Sequence, residues 1–418
     1  MIRQSYAFEI ITPCFAGGAN PDVEAEIRAA SIRGQLRWWS RVLGGFQSLA
    51  PRMNLRKQED FIFGAIAGDD GHAGALMVRV RGSSLSSENR KNAKDLTQNN
   101  RDNPKGYLLF PLRERDDKDG RKGVFYAESG SHGSFILQLQ WASNTLIEAD
   151  IRALITVFGN LGSLGFRSRR AMGALRLAHA PLSLKEASEK FTSPSSIIVF
   201  GKDVTSEDNS IRMLATWLRS WRQHGQMFRI WDWDPANRPH GKKWFPIDPA
   251  TQKATRDQVG TNREQPGFRY ARRDHNEGLD VQGTGALAPD PENPHGAAGT
   301  TFRPALGLPI IQYFSSLENR RGEQLNRLHA TVNWGYSASG GGRFASPILL
   351  RPHFDGTNWR ALVIVVEAMK WPNDPNTHRP RNVHLSSNRG DDVREVSLSL
   401  YEAMKDSLQS DSGWCKLF

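Results

Sequence analysis

The sequence predicts an α+β fold of two domains in tandem, a first of ferredoxin-like order over 1–180 and a second over 196–418, broken by long polar insertions. Three observations predict it. Short apolar runs with a period of two recur between segments whose apolar residues follow the helical period. In the first block their order is strand, helix, strand, strand, helix, strand. A turn-rich linker from Pro181 to Ser195 then separates this block from a new strand run at Ser196–Phe200.

The first strand is read at Tyr6–Thr12, and TPCFAGGANPD is a loop that delivers the chain to a helix. Ser31 is the expected N-cap of that helix and Gly44-Gly45 its end. Ile32, Leu36, Trp39 and Leu43 then share one face, at helical spacing, which is the buried one. Beside it Arg33, Arg37 and Arg41 make a ridge with no acidic partner in the helix, an arrangement suited either to phosphate or to plain solvation. Gly34 weakens the helix and is expected to admit another backbone. Trp38 points off the stripe and puts an aromatic ring beside the arginines.

Ala75–Val80 is the next strand, and Tyr107–Leu112 a further candidate beyond a polar loop. Phe135–Trp141 alternates cleanly, with Phe135, Leu137, Leu139 and Trp141 on one face. Ile147, Ile151, Leu154, Ile155 and Phe158 mark a second helix that covers this greasy side. It runs into GNLGSLGFRSRRAMGALRL, where four glycines and a cluster of arginines occur without an acid. Gly162 and Gly165 are expected to let backbone wrap a phosphate, with Arg167, Arg169 and Arg170 giving charge and stacking planes. The alternative is a mobile connection with its arginines in water. The stretch is not a GxxxxGK[ST] loop, so nucleotide hydrolysis is not implied.

In the second domain Ile211–Arg222 is a helix, with Leu214, Trp217, Leu218 and Trp221 inward. The region 232–300 lacks sustained periodicity and is read as loops or insertion, including the arginine-aromatic stretch Phe268–Gly278. Strand-like runs follow at Leu306–Phe314 and Leu328–Trp334. A glycine-rich loop, Gly335–Gly342, leads through Arg343 into a strand at Ile348–Leu350, repeating the earlier theme. Ala361–Glu367 is a strand, and Asp391–Leu408 a closing helix carrying Val393, Val396, Leu400 and Met404.

Fifty-five Lys and Arg against 44 Asp and Glu give a net charge of +11, which suits a polyanionic partner. Cys14 and Cys415 stand far apart without metal-site spacing, so neither a disulfide framework nor a zinc site is expected, and no cofactor is called for. The acidic pairs Asp69-Asp70, Asp116-Asp117 and Asp391-Asp392 read as solvated or capping groups. No apolar run approaches a membrane span and the N-terminus lacks an apolar signal core, so a cytoplasmic chain is expected.

The blocks EIRAASIRGQLRWW, LGSLGFRSRRAMGAL and LGLPI with GRFASPILLRP, in that order, resemble the RAMP superfamily, and within it the subunit-one family of Cmr (type III-B CRISPR) effectors. The resemblance covers most of the chain outside the insertions at about 82–130 and 232–300. It departs at Ala171-Met172, where the family more often has glycine and an aromatic. It implies two ferredoxin-like (RRM-like) domains in tandem. It also implies that Arg28, Ser31, Arg33, Arg37 and Trp38 match the opening-helix motif. Gly162, Gly165, Arg167, Ser168, Arg169, Arg170 and Gly173 match the glycine-rich loop, and Gly342, Arg343, Ser346 and Pro347 the second-domain block.

What the resemblance implies for function is a non-catalytic, RNA-binding structural subunit of an antiviral ribonucleoprotein. Such a subunit lies near the 3′ end of the guide RNA, touches guide or paired target, and packs on other RAMP subunits. Of these, Arg28, Ser31, Arg33, Arg37, Trp38, Gly162, Gly165, Arg167, Ser168, Arg169, Arg170, Gly342 and Arg343, with Arg41 added from the arginine ridge, form the expected RNA-binding set. The alternative is a metal-independent endonuclease that processes guide RNA, for which Tyr270 and His275 are the nominated acid–base pair. A third reading is a scaffold whose glycine loops touch neighbouring subunits only.

Overall fold

The structure, a computed structural model, describes residues 1–17, 25–65, 71–84, 90–91, 105–109, 125–126, 133–222, 268–282, 299–308, 310–313, 331–336, 343–387 and 390–417. Chain contacts divide it into two compact units. The first holds Met1–Thr216, Ile348–Ala368 and Asp411–Phe418; the second holds Trp217–Pro347 and Met369–Ser410.

The chain opens with β1 (Ile2–Ile10), α1 (Ala29–Val42), α2 (Leu55–Phe63), β2 (Met77–Arg81), β3 (Ser134–Trp141), α3 (Glu148–Leu161) and β4 (Leu175–Leu177). The four strands form one antiparallel sheet in the order β2-β3-β1-β4. With α1 after the first strand and α3 after the third, this is the βαββαβ order of a ferredoxin-like domain. Its core follows the alternation in the sequence: Phe135, Leu137, Leu139 and Trp141 are buried from β3, and Ile32, Leu36, Trp39 and Leu43 from α1. Phe8 stacks on Phe135 with ring centroids 5.1 Å apart and meets Phe158 of α3 at 5.5 Å.

The expected linker is built into this unit. It carries α4 (Leu184–Ser188), which opens on a capping box between Ser183 and Glu186. Phe191 is fully buried and stacks on Phe46 at 5.2 Å. Next come β5 (Ile197–Val204) and α5 (Glu207–Arg222). The expected strand at Tyr107–Leu112 is instead a helix over Lys105–Leu109, with Leu108 and Leu109 buried; residues 110–112 lie outside the described residues.

Further along are α6 (Phe268–Val281), β6 (Thr300–Thr301), β7 (Ile310–Tyr313), β8 (Thr331–Gly335), β9 (Ile348–Phe354), β10 (Trp359–Val366), β11 (Val383–Ser386), β12 (Asp391–Val396), α7 (Ser399–Ser410) and β13 (Cys415–Lys416). Strands β9, β10, β5 and β13 make a second antiparallel sheet in the order β9-β10-β5-β13. Numbered along the chain from β5, this is again 2-3-1-4, so the ferredoxin-like order occurs twice. A five-stranded sheet, β6-β12-β11-β8-β7, belongs to the second unit.

Two expectations for the second half give way. Phe268–Gly278 is helical rather than looped: Asp274 is fully buried and accepts bonds from Thr301 Oγ1 and from the backbone N–H of Phe302 and Arg303, which fixes α6. Asp391–Leu408 is a strand followed by a helix. Arg394 and Val396 are buried at a period of two, and β12 pairs antiparallel with β11 from Ser386↔Asp391 onward.

Candidate nucleic-acid interface

Helix α1 starts earlier than the sequence indicates. Arg28 sits at the N-cap in extended conformation without a side-chain cap, so Ser31 lies inside the first turn and caps nothing. The C-terminus agrees with the reading: Gly44 and Gly45 take φ of +80° and +76°, and the Gly45 N–H donates to the Ser40 carbonyl at 2.8 Å.

Two of the three ridge arginines, Arg37 and Arg41, are neutralised by acidic residues from outside the helix. Helix α2 packs against α1 and presents Glu59, whose side chain is only 5% exposed. Arg41 Nε donates to Glu59 Oε2 at 2.7 Å, Arg37 also bonds to Glu59, and Arg37 reaches Asp60 Oδ1 at 3.2 Å and the Gly64 carbonyl at 3.1 Å. Burial opposes ionisation of Glu59, but the hydrogen bonds from Arg41 and Arg37 outweigh it and hold the carboxyl below its ordinary value. This pair is a fastening between two helices. Arg28, Ser31 and Arg33 remain exposed.

The glycine-rich loop after α3 closes on the chain's own backbone. A Cβ at Gly162 would run into the Phe158 carbonyl and ring, and one at Gly173 into the Leu164 carbonyl; at Gly165, with φ of +80°, it would stand 2.8 Å from the Phe15 carbonyl. Within the loop, Phe166 N–H donates to the Phe15 carbonyl at 2.9 Å and Leu164 N–H to that of Gly173 at 2.8 Å. The glycines therefore serve the loop's own fold, which corrects their reading as a phosphate wrap. Two of its arginines are also committed: Arg167 Nε donates to the Leu108 carbonyl at 2.5 Å, and the buried Arg170 to the Ile348 carbonyl at 2.8 Å.

A residue absent from the sequence-based set holds this loop in place. Arg351 of β9 is 1% exposed and donates to the Gly162 carbonyl at 3.0 Å, the Gly159 carbonyl at 3.1 Å and the Leu175 carbonyl. Burial pulls the pKa of its guanidinium down to about 9. A bridge between Arg170 and Leu350, closed by Ala171 N–H to the Leu350 carbonyl at 2.9 Å, ties the same loop to the second sheet. The available signal was a lone arginine inside the apolar run Ile348–Leu350 with Pro352 after it.

The third arginine of the loop, Arg169, packs on Trp38. Its guanidinium lies over the Trp38 ring, 4.9 Å from the centroid, and Trp38 meets Trp39 edge-on at 4.8 Å. Burial lowers the Arg169 pKa from its ordinary value. The two sequence motifs, one on α1 and one after α3, thus converge on a cation–π pair. Gln35, Trp38, Ser168 and Arg169 line a crevice of about 20 Å³, room for one water and too small for a metabolite. The chemistry offered is a half-buried aromatic plane under a guanidinium plane, with cations nearby.

Other expected residues lie elsewhere. Gly342 falls outside the described residues, and Arg343 is exposed in the second unit. Tyr270 is buried against Phe302 with centroids 5.1 Å apart, and His275 Nδ1 is 2.8 Å from the Gln312 amide nitrogen. Five residues apart on α6, these two side chains leave the helix about 140° apart.

Residues 7–176 match the RAMP superfamily. The chain is 29% identical over 163 residues to the CRISPR system Cmr subunit Cmr1-1 of Pyrococcus furiosus; this stretch is 38% of the chain and spans 43% of that relative. Among solved structures it is similar to apo Cmr1 from Pyrococcus furiosus, at 15% identity, 100% and 99% coverage and a TM-score of 0.47. A chain in the type III-B Cmr-beta complex bound to cognate target RNA aligns at 10% identity, 96% and 98% coverage and a TM-score of 0.36. The stretch similar to the RAMP superfamily, residues 7–176, holds the first βαββαβ order and both halves of the Trp38–Arg169 pair.

Proposed function

We propose that this protein is an RNA-binding structural subunit of a cytoplasmic type III-B CRISPR ribonucleoprotein and performs no chemistry of its own. In this reading it contacts guide RNA or the guide–target duplex near the guide 3′ end and packs on other RAMP subunits. Its domains follow the two βαββαβ orders, 1–180 and 196–418.

The observation that carries the reading is the Arg169 guanidinium over Trp38. A base stacked on an aromatic or guanidinium plane is held irrespective of its identity, as guide-independent binding requires, and each such stack contributes about 1–3 kcal/mol. The exposed Arg28 and Arg33 supply phosphate contacts on the same helix. The Cmr subunit name of the curated relative supports assembly with further RAMP chains. For guide processing, the burial of Tyr270 and the divergence of His275 supply no shared acid–base site.

The test is binding of the full chain to labelled single-stranded RNA over a salt series, with the same samples run on a denaturing gel. Wild type should retain intact RNA, and Trp38→Ala should weaken it by at least about tenfold, the lower part of the stacking range. An unchanged affinity in Trp38→Ala rejects the platform; shortened RNA without metal replaces the structural reading with the nuclease.

A further inference from the structure

Beyond the platform, a shallow groove of about 540 Å³ runs between the start of α1 and strand β2, lined by Ala29, Val78, Arg79, Val80, Arg81 and Gly82. Strand β2 is the edge of the first sheet, and its side chains alternate: Val78 and Val80 are half-buried while Arg79 and Arg81 are exposed. Charged residues on an edge strand ordinarily deter pairing with another chain. Here they also line a concavity, and no ion pair involves Arg28, Arg33, Arg79 or Arg81 among the described residues, in contrast to Arg37 and Arg41.

Helix α1 connects this groove to the platform. Arg33 stands one turn beyond Ala29 on the same face. Gly34 follows, and a Cβ built there meets nothing within 4 Å, so among the described residues no packing explains a glycine in a helix interior. The space beside Gly34 is open among the described residues, which leaves room for the backbone that the sequence leads one to expect there. Trp38 lies one turn further, and Ala29 to Trp38 is about 14 Å along the axis, a few nucleotides of extended strand.

Resting on the RNA-binding reading above, we propose that a single-stranded RNA stacked at Trp38–Arg169 crosses α1 at Gly34, and that Arg79 and Arg81 hold its phosphates in the α1–β2 groove. Charge complementarity selects a phosphodiester strand over a peptide.

The experiment compares the full chain, Arg79→Gln/Arg81→Gln, Arg79→Lys/Arg81→Lys, and Arg52→Gln/Lys57→Gln as an equal charge loss at other exposed positions of the same unit, each binding four- and sixteen-nucleotide oligouridine across a salt series. Removing two phosphate contacts should lower the log–log salt slope for the long RNA by about 1.4 and its affinity at 0.1 M salt on the order of tenfold. The short RNA and the lysine variant should be unaffected. Equal losses in the Arg52/Lys57 variant, equal losses for both RNAs, or no change for the long RNA overturn the groove while leaving the platform intact. No binding of either RNA by wild type overturns both.

Discussion

The two flanks of α1 start from the same kind of sequence and end in opposite states. On one, Arg37 and Arg41 close on the buried Glu59, and their charge is spent on fastening α2 to α1. On the other, Trp38 meets an arginine delivered from the loop after α3, and the product is a cation–π pair. An arginine-rich helix is thus no measure of available charge. What decides is the element packed alongside, an acidic helix in one case and a basic loop in the other.

The sharpest way to break the second flank leaves it untouched. Arg351→Met keeps the bulk but leaves the buried carbonyls of Gly159, Gly162 and Leu175 without this donor. We expect a loss of about 3 kcal/mol in urea unfolding, partly restored by Arg351→Lys, and weaker RNA binding in the surviving fold because Arg169 loses its seat. Full stability in the methionine variant would show that the loop carries its own conformation.

The first flank is tested through Glu59. Its carboxyl is depressed in the folded protein, so its contribution is complete above the unfolded carboxylate value and fades as pH falls through the lower folded one. Glu59→Gln should therefore lose about 2 kcal/mol at pH 7 and progressively less in strong acid. RNA binding by the Trp38 flank should persist in this variant at temperatures where it is folded. A pH-independent loss would mean that the side chain acts by packing rather than charge.

Much of the scaffold was legible because it depends on local period. The α1 stripe and the alternation of β3 were visible in the sequence, and so was the glycine stop after Leu43. What escaped depends on long-range placement. Glu59 lies between the opening helix and the Ala75–Val80 strand, in a stretch to which the sequence reading assigns no element, although Asn54, which caps the Lys57 N–H, and Ile62 and Phe63 mark a helix there. Arg351 was hidden because a charge within an apolar strand carries no sign of the carbonyls awaiting it. Val393, Val396, Leu400 and Met404 fit a helical spacing across a strand and a helix, so their period misled. Trp38 and Arg169 were each named, while their meeting, 131 residues apart in sequence, required the fold.

Gly34 lies between the two flanks and gives the smallest and most discriminating effect. The other constrained glycines of this region are held by contacts, Gly44 against Ser193 and Gly165 against Phe15, and a side chain at either meets backbone strain as well as atoms. Gly34 has helical geometry and empty space. Alanine there introduces no clash, restricts the unfolded chain and should raise stability by up to about 1 kcal/mol, read as a higher urea midpoint with unchanged slope. A helix that keeps a residue which weakens it gains nothing inside the chain, so the return lies with whatever approaches from outside. If the approaching backbone is RNA, Gly34→Leu shares the stability gain yet loses affinity for the long RNA, whereas a purely structural glycine would let both substitutions stabilise with binding intact.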